Sequence, residues 1–271
     1  MKTVVILKKY NMLRIVTVHH ETKQFFDLQK KYFKNYTSED YIVYCGYSNF
    51  SLDKQDKYLL YDLTKLAIPD AIHHAVRLNY LASFACVGAN DNDKLIFIDS
   101  DAFPILPNWV AVVNANLKAN PITAIQRKEN LAPTRGCSPE THPHPCFFVT
   151  TVKFWKENRL SFNSIPTAGY NIGEWLINKK LDFTKILRSN SVDLHPLYFG
   201  IYGNIIYHHG AGNRRVYDGI DVCLRPNLNA GVATNLKFPN IVNFNDKLSK
   251  IVFDEIVKDD NFIKNYFMGI K

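Results

Sequence analysis

The chain has 271 residues, 46% of them hydrophobic, with 18 Phe and 15 Tyr, which is enough apolar surface for a buried core and excludes a disordered chain. The formal charge of +8 invites an anionic partner, yet the Lys and Arg residues are dispersed, and no zinc-finger spacing or RNA-binding aromatic signature accompanies them. The expectation is therefore no nucleic-acid partner.

No stretch approaches the roughly 20 apolar residues of a membrane-spanning helix, so no stable membrane insertion is expected. The short apolar run Met1 to Leu7 is stopped by Lys8 and Lys9, which does not suit a signal peptide and predicts a cytoplasmic chain. The five cysteines (Cys45, Cys86, Cys137, Cys146, Cys223) lack metal-type spacing and read as reduced thiols.

In chain order, Leu13 to Val18 is a short β-branched run typical of a buried strand. A mixed segment after His19, His20 and Glu21 is consistent with a helix to Phe33. Tyr41 to Cys45 predicts a second strand, closed by Gly46 and the polar Ser48-Asn49. Pro69 suits a first helical turn, and Ala71, Ala75, Leu78, Ala82 and Ala85 follow at helical spacing. Gly88 and the run Asn90 to Asp93 end that helix. Lys94 to Ile98 is a third strand, with Asp99-Ser100-Asp101 at its carboxyl end. Pro107 opens another helix, and Ile122 to Ile125 a further strand.

Alternating strands and helices imply an α/β fold: a mostly parallel central sheet with helices on both faces, Rossmann-like in its layering. Ligands in such sheets bind beyond the carboxyl ends of the strands, where Asp99 and Asp101 fall. The second half is less regular. Asn130 to Pro145 reads as a long loop, Cys146 to Thr151 as a strand, Gly169 to Lys180 as a turn into a helix, and Asn204 to Tyr207 as a strand before His208-His209-Gly210. Residues from about 246 to 268 form a helical C-terminal appendage. A single domain spanning 1–271 is the expected organisation.

An Asp-x-Asp triplet at a strand end brings two carboxylates together, and hard divalent cations want oxygen ligands that a diphosphate can complete. The bland alternative is a pair of turn and capping residues. His142-Pro143-His144-Pro145-Cys146 mixes His and Cys, but no second ligand pair follows, so a rigid loop is the better reading. Trp155 and Trp175 are read as core residues by default.

Leu95 to Pro104 resembles the strand and Asp-x-Asp segment of GT-A glycosyltransferases. His74-Ala75 and Leu78-Asn79 resemble the preceding helix in family-2-like members. Tyr207-His208-His209-Gly210-Ala211-Gly212 is similar to a late His motif of bacterial and viral transferases. The likeness spans about residues 13 to 215.

The resemblance implies the GT-A form of the α/β fold and a metal-dependent glycosyltransferase. Such an enzyme moves a sugar from a UDP- or GDP-sugar to a glycan or other hydroxyl acceptor. It implies Mn²⁺ or Mg²⁺ on Asp99 and Asp101, with His208 as third ligand, or His209 if the strand register differs by one. Thr17, Val18, His19, Arg77, Asn79 and Ser100 become nucleotide-sugar contacts, and Arg214 a phosphate grip. Similar enzymes keep an acid near the position of Asn171. An amide cannot act as a base, so Glu174 becomes the candidate base for an inverting transfer, with the inverting or retaining outcome left open by Asn171. Two other readings stand beside this one: a nucleotidyltransferase, against which Val18-His19-His20-Glu21 lacks a Gly-rich phosphate loop, and a non-catalytic glycan-binding protein on a degenerate transferase fold.

Overall fold

The computed structural model describes residues 11–66, 73–129, 131–132, 138–163, 167–194, 198–210, 216–217, 220–221 and 241–269. The apolar runs of the first half become β1 (Leu13–His20), β2 (Tyr41–Ser48), β3 (Tyr58–Asp62) and β4 (Lys94–Ile98), all mutually parallel where they pair. Between and after them come α1 (Lys23–Tyr36), α2 (His73–Cys86), β5 (Ala102–Pro104), α3 (Trp109–Ala119) and β6 (Ile122–Ile125). A small hairpin, β7 (Leu131–Ala132) with β8 (Ser138–Pro139), precedes β9 (His144–Thr151), α4 (Val152–Glu157), α5 (Tyr170–Asn178) and β10 (Thr184–Ile186). The chain ends with β11 (Gly200–Tyr202), β12 (Ile206–His208), the hairpin β13 (Val216–Tyr217) and β14 (Ile220–Asp221), α6 (Ile241–Lys258) and a π-helical turn, Ile263–Phe267.

The main sheet is seven-stranded in the order β10-β6-β9-β4-β1-β2-β3, and only β9 runs antiparallel, to both β4 and β6. Both faces are covered, which is why its strands read as unbroken apolar runs. The two-residue period of a strand then sorts each run. Leu13, Ile15, Ile96 and Ile98 join Phe26, Phe33, Trp109 and Val113 on the side of α1 and α3. Val16, Val18, Leu95 and Phe97 join Leu78, Leu81, Trp155, Ile172 and Leu176 on the side of α2, α4 and α5. Trp155 is therefore a core residue, and Trp175 packs edge-on against Phe154 at its margin. At the amino ends of β1 and β4, buried Arg14 binds Asp93 at 2.7 Å and also donates to the Tyr44 hydroxyl and Ala85 carbonyl.

A second layer stands beside the main sheet. β5 leaves the end of β4 and pairs antiparallel with β12, which pairs with β11. α6 and the π-helical turn lie on this small sheet, through Val252, Ile256, Ile263 and Phe267 against Phe103, Phe199 and Tyr207. The C-terminal segment expected as one helix across the main sheet is thus two pieces on the smaller sheet. The polar Asp259-Asp260-Asn261 sequence interrupts it, and the Asp259 carboxylate accepts the Asn261 N–H at 2.8 Å. β3, a short edge strand with alternating exposure, was not signalled by its brief apolar run. The helix expected after Gly169 starts there because Gly169 is left-handed (φ 91°). A Cβ at that position would sit 2.1 Å from the Pro143 carbonyl oxygen, so only glycine fits.

Candidate active site

β4 ends at Ile98, and the chain turns tightly: the Ala102 N–H donates to the Asp99 carbonyl at 3.1 Å, and the Asp99 N–H to the Cys146 carbonyl of β9 at 3.2 Å. The turn sends β5 into the small sheet, where Ala102 lies opposite His208 of β12. That register delivers the imidazole to the two carboxylates. His208 Nε2 is 3.4 Å from Asp101 Oδ1 and 3.6 Å from Asp99 Oδ2. From the other side, His74 Nε2 of α2 comes within 3.3 Å of Asp99 Oδ1. Asp101 is fixed by the backbone: its Oδ2 accepts the Gly210 N–H and its carbonyl the His209 N–H, each at 3.0 Å.

The turn is also held from beneath by Gln29, a fully buried polar residue on the apolar face of α1. Its side-chain NH₂ donates to the Asp99 carbonyl at 2.9 Å and the Ala102 carbonyl at 2.7 Å. Those two acceptors orient the amide, so its oxygen must accept from His19 Nε2–H at 3.3 Å. His19 Nδ1 then accepts from the Thr22 hydroxyl at 3.3 Å. Burial lowers His19 to about 4, which keeps this relay neutral.

The residues fit a divalent cation. Asp99 Oδ1 is buried, makes no hydrogen bond of good geometry, and faces His74 Nε2 at 3.3 Å. The approaches of His208 to both carboxylates are longer than the usual N–H···O bond, and these side chains offer oxygen and nitrogen donors of the kind Mn²⁺ or Mg²⁺ takes. The Cys146 sulfur adjoins the same place: one ligand atom each from Asp99, Cys146 and His208 all lie within 4.8 Å of one another. Burial, with Asp99 adding to it, pushes the Cys146 thiol well up and keeps it protonated. Its N–H donates to His144 Nδ1 at 3.1 Å. His144 is held well below the usual histidine range by burial, and further by Arg127, His142, His208 and His74.

Of the sequence-predicted residues, Asp99, Asp101 and His208 come together. His209 does not join them. The strand's alternation turns it to the opposite side, where its ring nitrogens meet the Tyr207 hydroxyl (2.9 Å) and the Ser249 hydroxyl (2.8 Å). Burial lowers it to about 4, and with both ring nitrogens engaged it sits as a neutral residue in the core, away from the two carboxylates. Thr17 and Val18 are enclosed in the sheet's packing, and His19 is committed to Gln29 and Thr22. None of the three is presented to a nucleotide. At the carboxyl end of β2 the Ser48 hydroxyl, itself buried, is 2.8 Å from His20 Nδ1 and accepts from Arg77 Nη1 of α2 at 3.4 Å. Asn79 uses its whole amide on the Phe162 backbone, donating at 2.8 Å and accepting at 2.9 Å. Ser100 is half-buried at the turn, and Arg214 lies outside the described residues.

Asn171 likewise holds backbone: it donates to the Ser161 carbonyl at 2.7 Å and accepts the Asn163 N–H at 3.0 Å. Glu174 falls in the second turn of α5, not the first, because the helix begins at Tyr170 and contains no acid in its first turn. The helix dipole therefore does little for it. It lines a cleft of about 300 Å³ with Gln126, Lys128, His142, Tyr170 and Lys185, and that lining includes none of Asp99, Asp101 or His208. Sequence reasoning missed three contributors: His74, Cys146 and Gln29. Gln29 did leave a signal, a polar side chain on an otherwise apolar helical face that must find partners. Cys146 stands in the His-and-Cys motif that reads as a rigid loop in the sequence and is instead on β9 beside Asp99, and His74 depends on how α2 packs over the sheet.

No protein-family model matches the sequence, and no curated protein matches it. Similar solved structures include the bifunctional glycosyltransferase WbbM, at 12% identity over 56% of this chain and 33% of that one, with a TM-score of 0.39. The glycosyltransferase GlyE of Streptococcus pneumoniae TIGR4 matches at 11% identity over 63% of this chain and 40% of its own, TM-score 0.37. The galactosyltransferase LgtC, solved with donor and acceptor sugar analogs, matches at 12% identity over 63% and 66%, TM-score 0.35. The chain thus spans between about a third and two thirds of the length of these proteins.

Proposed function

We propose that this chain is a GT-A-type glycosyltransferase that moves a sugar from a UDP- or GDP-sugar to a glycan or other hydroxyl acceptor, with Mn²⁺ or Mg²⁺ held by Asp99, Asp101 and His208. One observation carries the reading: two carboxylates from the turn after β4 and an imidazole from β12 converge at the carboxyl end of a parallel strand, with His208 Nε2 3.4 Å from Asp101 Oδ1 and 3.6 Å from Asp99 Oδ2. When bound, a divalent cation offsets the diphosphate charge and stabilises the departing nucleoside diphosphate.

The protein's own residues supply position. Gln29 and the Gly210 N–H fix the two aspartates, and β12 fixes His208. Arg77 and Ser48, at the carboxyl end of β2, are the polar groups on the nucleotide side in this reading, and Ser100 faces the donor. The cleft beside α5 is assigned to the acceptor. Glu174, which lines that cleft, is the group proposed to take the acceptor hydroxyl's proton in a single, inverting displacement.

The test is calorimetry of UDP and GDP binding with and without Mn²⁺. Binding is expected to need the metal, and Asp101→Ala or His208→Ala should abolish it. Unchanged affinity in Asp101→Ala would remove the reading. Release of pyrophosphate from a nucleoside triphosphate and sugar phosphate would move the chain to nucleotidyl transfer instead.

A further inference from the structure

The metal site just proposed has a sulfur beside it that an Mn²⁺ or Mg²⁺ centre does not use. Cys146 sits on β9, the antiparallel strand inserted between β4 and β6, directly beside Asp99. It is fully buried, as is the neighbouring Phe147, and its thiol is on the side where the small sheet brings His208. Asp99, Cys146 and His208 each offer one ligand atom, all within 4.8 Å of one another. His208 Nε2 also approaches Asp101 Oδ1 at 3.4 Å, and in the proposed function Asp99 and His208 serve the oxygen-and-nitrogen set with Asp101.

We infer that the site holds two overlapping ligand sets, and that Asp99, Cys146 and His208 form a thiophilic one that binds Zn²⁺-type ions and displaces Mn²⁺. The inference rests on the metal reading of the preceding section. Its chemistry differs in the donor atom. Carboxylate and water suit Mg²⁺ and Mn²⁺, whereas thiolate with imidazole suits zinc, cadmium and cobalt. Three protein ligands with a fourth position open is a common zinc arrangement. In forming the centre, the Sγ–H bond breaks and its proton goes to solvent, while Sγ bonds the cation. His208 Nε2 gives its lone pair, and Asp99 one carboxylate oxygen. A bound divalent ion is sufficient to deprotonate a coordinating thiol. Because Asp99 and His208 serve both sets, the two ions exclude each other.

The experiment uses the full chain and two probe metals. Co²⁺ or Cd²⁺ is titrated while the sulfur-to-metal charge-transfer absorption is followed in the ultraviolet, and Mn²⁺ binding is followed separately by electron paramagnetic resonance. The wild type should develop the band at one equivalent and release Mn²⁺ as it does so. Cys146→Ser should lose the band and weaken Cd²⁺ binding by at least about tenfold, the scale on which groups around a metal act, with Mn²⁺ affinity kept. His208→Ala, which keeps the thiol, should lose both the band and Mn²⁺. A wild type that binds Mn²⁺ without giving a band on Co²⁺ or Cd²⁺ overturns this inference and leaves the proposed function standing. A band that persists in Cys146→Ser overturns it as well, because another cysteine then supplies the sulfur. A protein that binds none of the three metals overturns both.

Discussion

Replacing Gln29 by Met tests whether the carboxylate turn is held from α1. The substitution keeps the length and burial of the side chain and removes its amide. Three hydrogen bonds go: those to the Asp99 carbonyl at 2.9 Å and the Ala102 carbonyl at 2.7 Å, and the one from His19 at 3.3 Å. The Asp99 carbonyl keeps the Ala102 N–H, so its loss is partial, whereas His19 is left with an unpartnered N–H in a fully buried site. At about 1 kcal/mol net per bond, and about 1–3 kcal/mol for a buried group left unsatisfied, the cost is roughly 2–4 kcal/mol. For a chain of this size that lowers the unfolding temperature by roughly 5–10 °C. If Gln29 also orients the metal ligands, Mn²⁺ affinity should fall on the order of tenfold, as for other groups that support a ligand from behind. Differential scanning calorimetry reads the first quantity and titration calorimetry the second. A Gln29→Met protein with an unmoved unfolding temperature and wild-type Mn²⁺ affinity would refute the relay from His19 to Asp99. A lowered temperature with intact affinity would leave Gln29 structural alone.

Three further outcomes are expected. His19 has a folded pKa of about 4 against an ordinary 6.5, so between those values the unfolded chain binds the proton and stability falls as the pH drops. His19's share of the loss should be roughly 2 kcal/mol at pH 5 relative to neutrality, added to that of the similarly lowered His209 and His144. It is read as the difference in urea midpoints between wild type and His19→Gln, whose slope should be shallower. Asp93→Ala leaves Arg14 buried without its carboxylate and should cost about 3–5 kcal/mol in chemical denaturation; a loss under a kilocalorie would show that water reaches Arg14. Glu174→Gln should lower sugar transfer by about 10²- to 10⁴-fold while sparing metal-dependent nucleotide binding. Transfer at near the wild-type rate would instead direct attention to Asp193, which is engaged with Arg188 at 2.7 Å.

The layered α/β arrangement was legible in the sequence because a sheet covered on both faces favours strands that are apolar nearly throughout. LRIVTV, YIVYC and KLIFI are such runs, broken only by Arg14, Thr17 and Lys94, and they alternate with helical spacing. The same alternation located Asp99 and Asp101, since polar residues that end such a strand lie at the ligand edge of the sheet. Beyond this, the site was decided by pairings between distant segments. His208 faces the carboxylates and His209 does not because β12 pairs with β5 in one register, and a slip of one residue would exchange them. Cys146 borders Asp99 only because β9 inserts antiparallel between β4 and β6, an order that no local pattern encodes. Glu174 falls in the second turn of α5 because the left-handed Gly169 beneath the Pro143 carbonyl sets the helix start at Tyr170. Hydrophobic periodicity is a property of neighbours along the chain, so it reports elements and their buried faces. A ligand set gathered from one turn and two distant strands depends on register and strand order, which exist only once the whole sheet has closed.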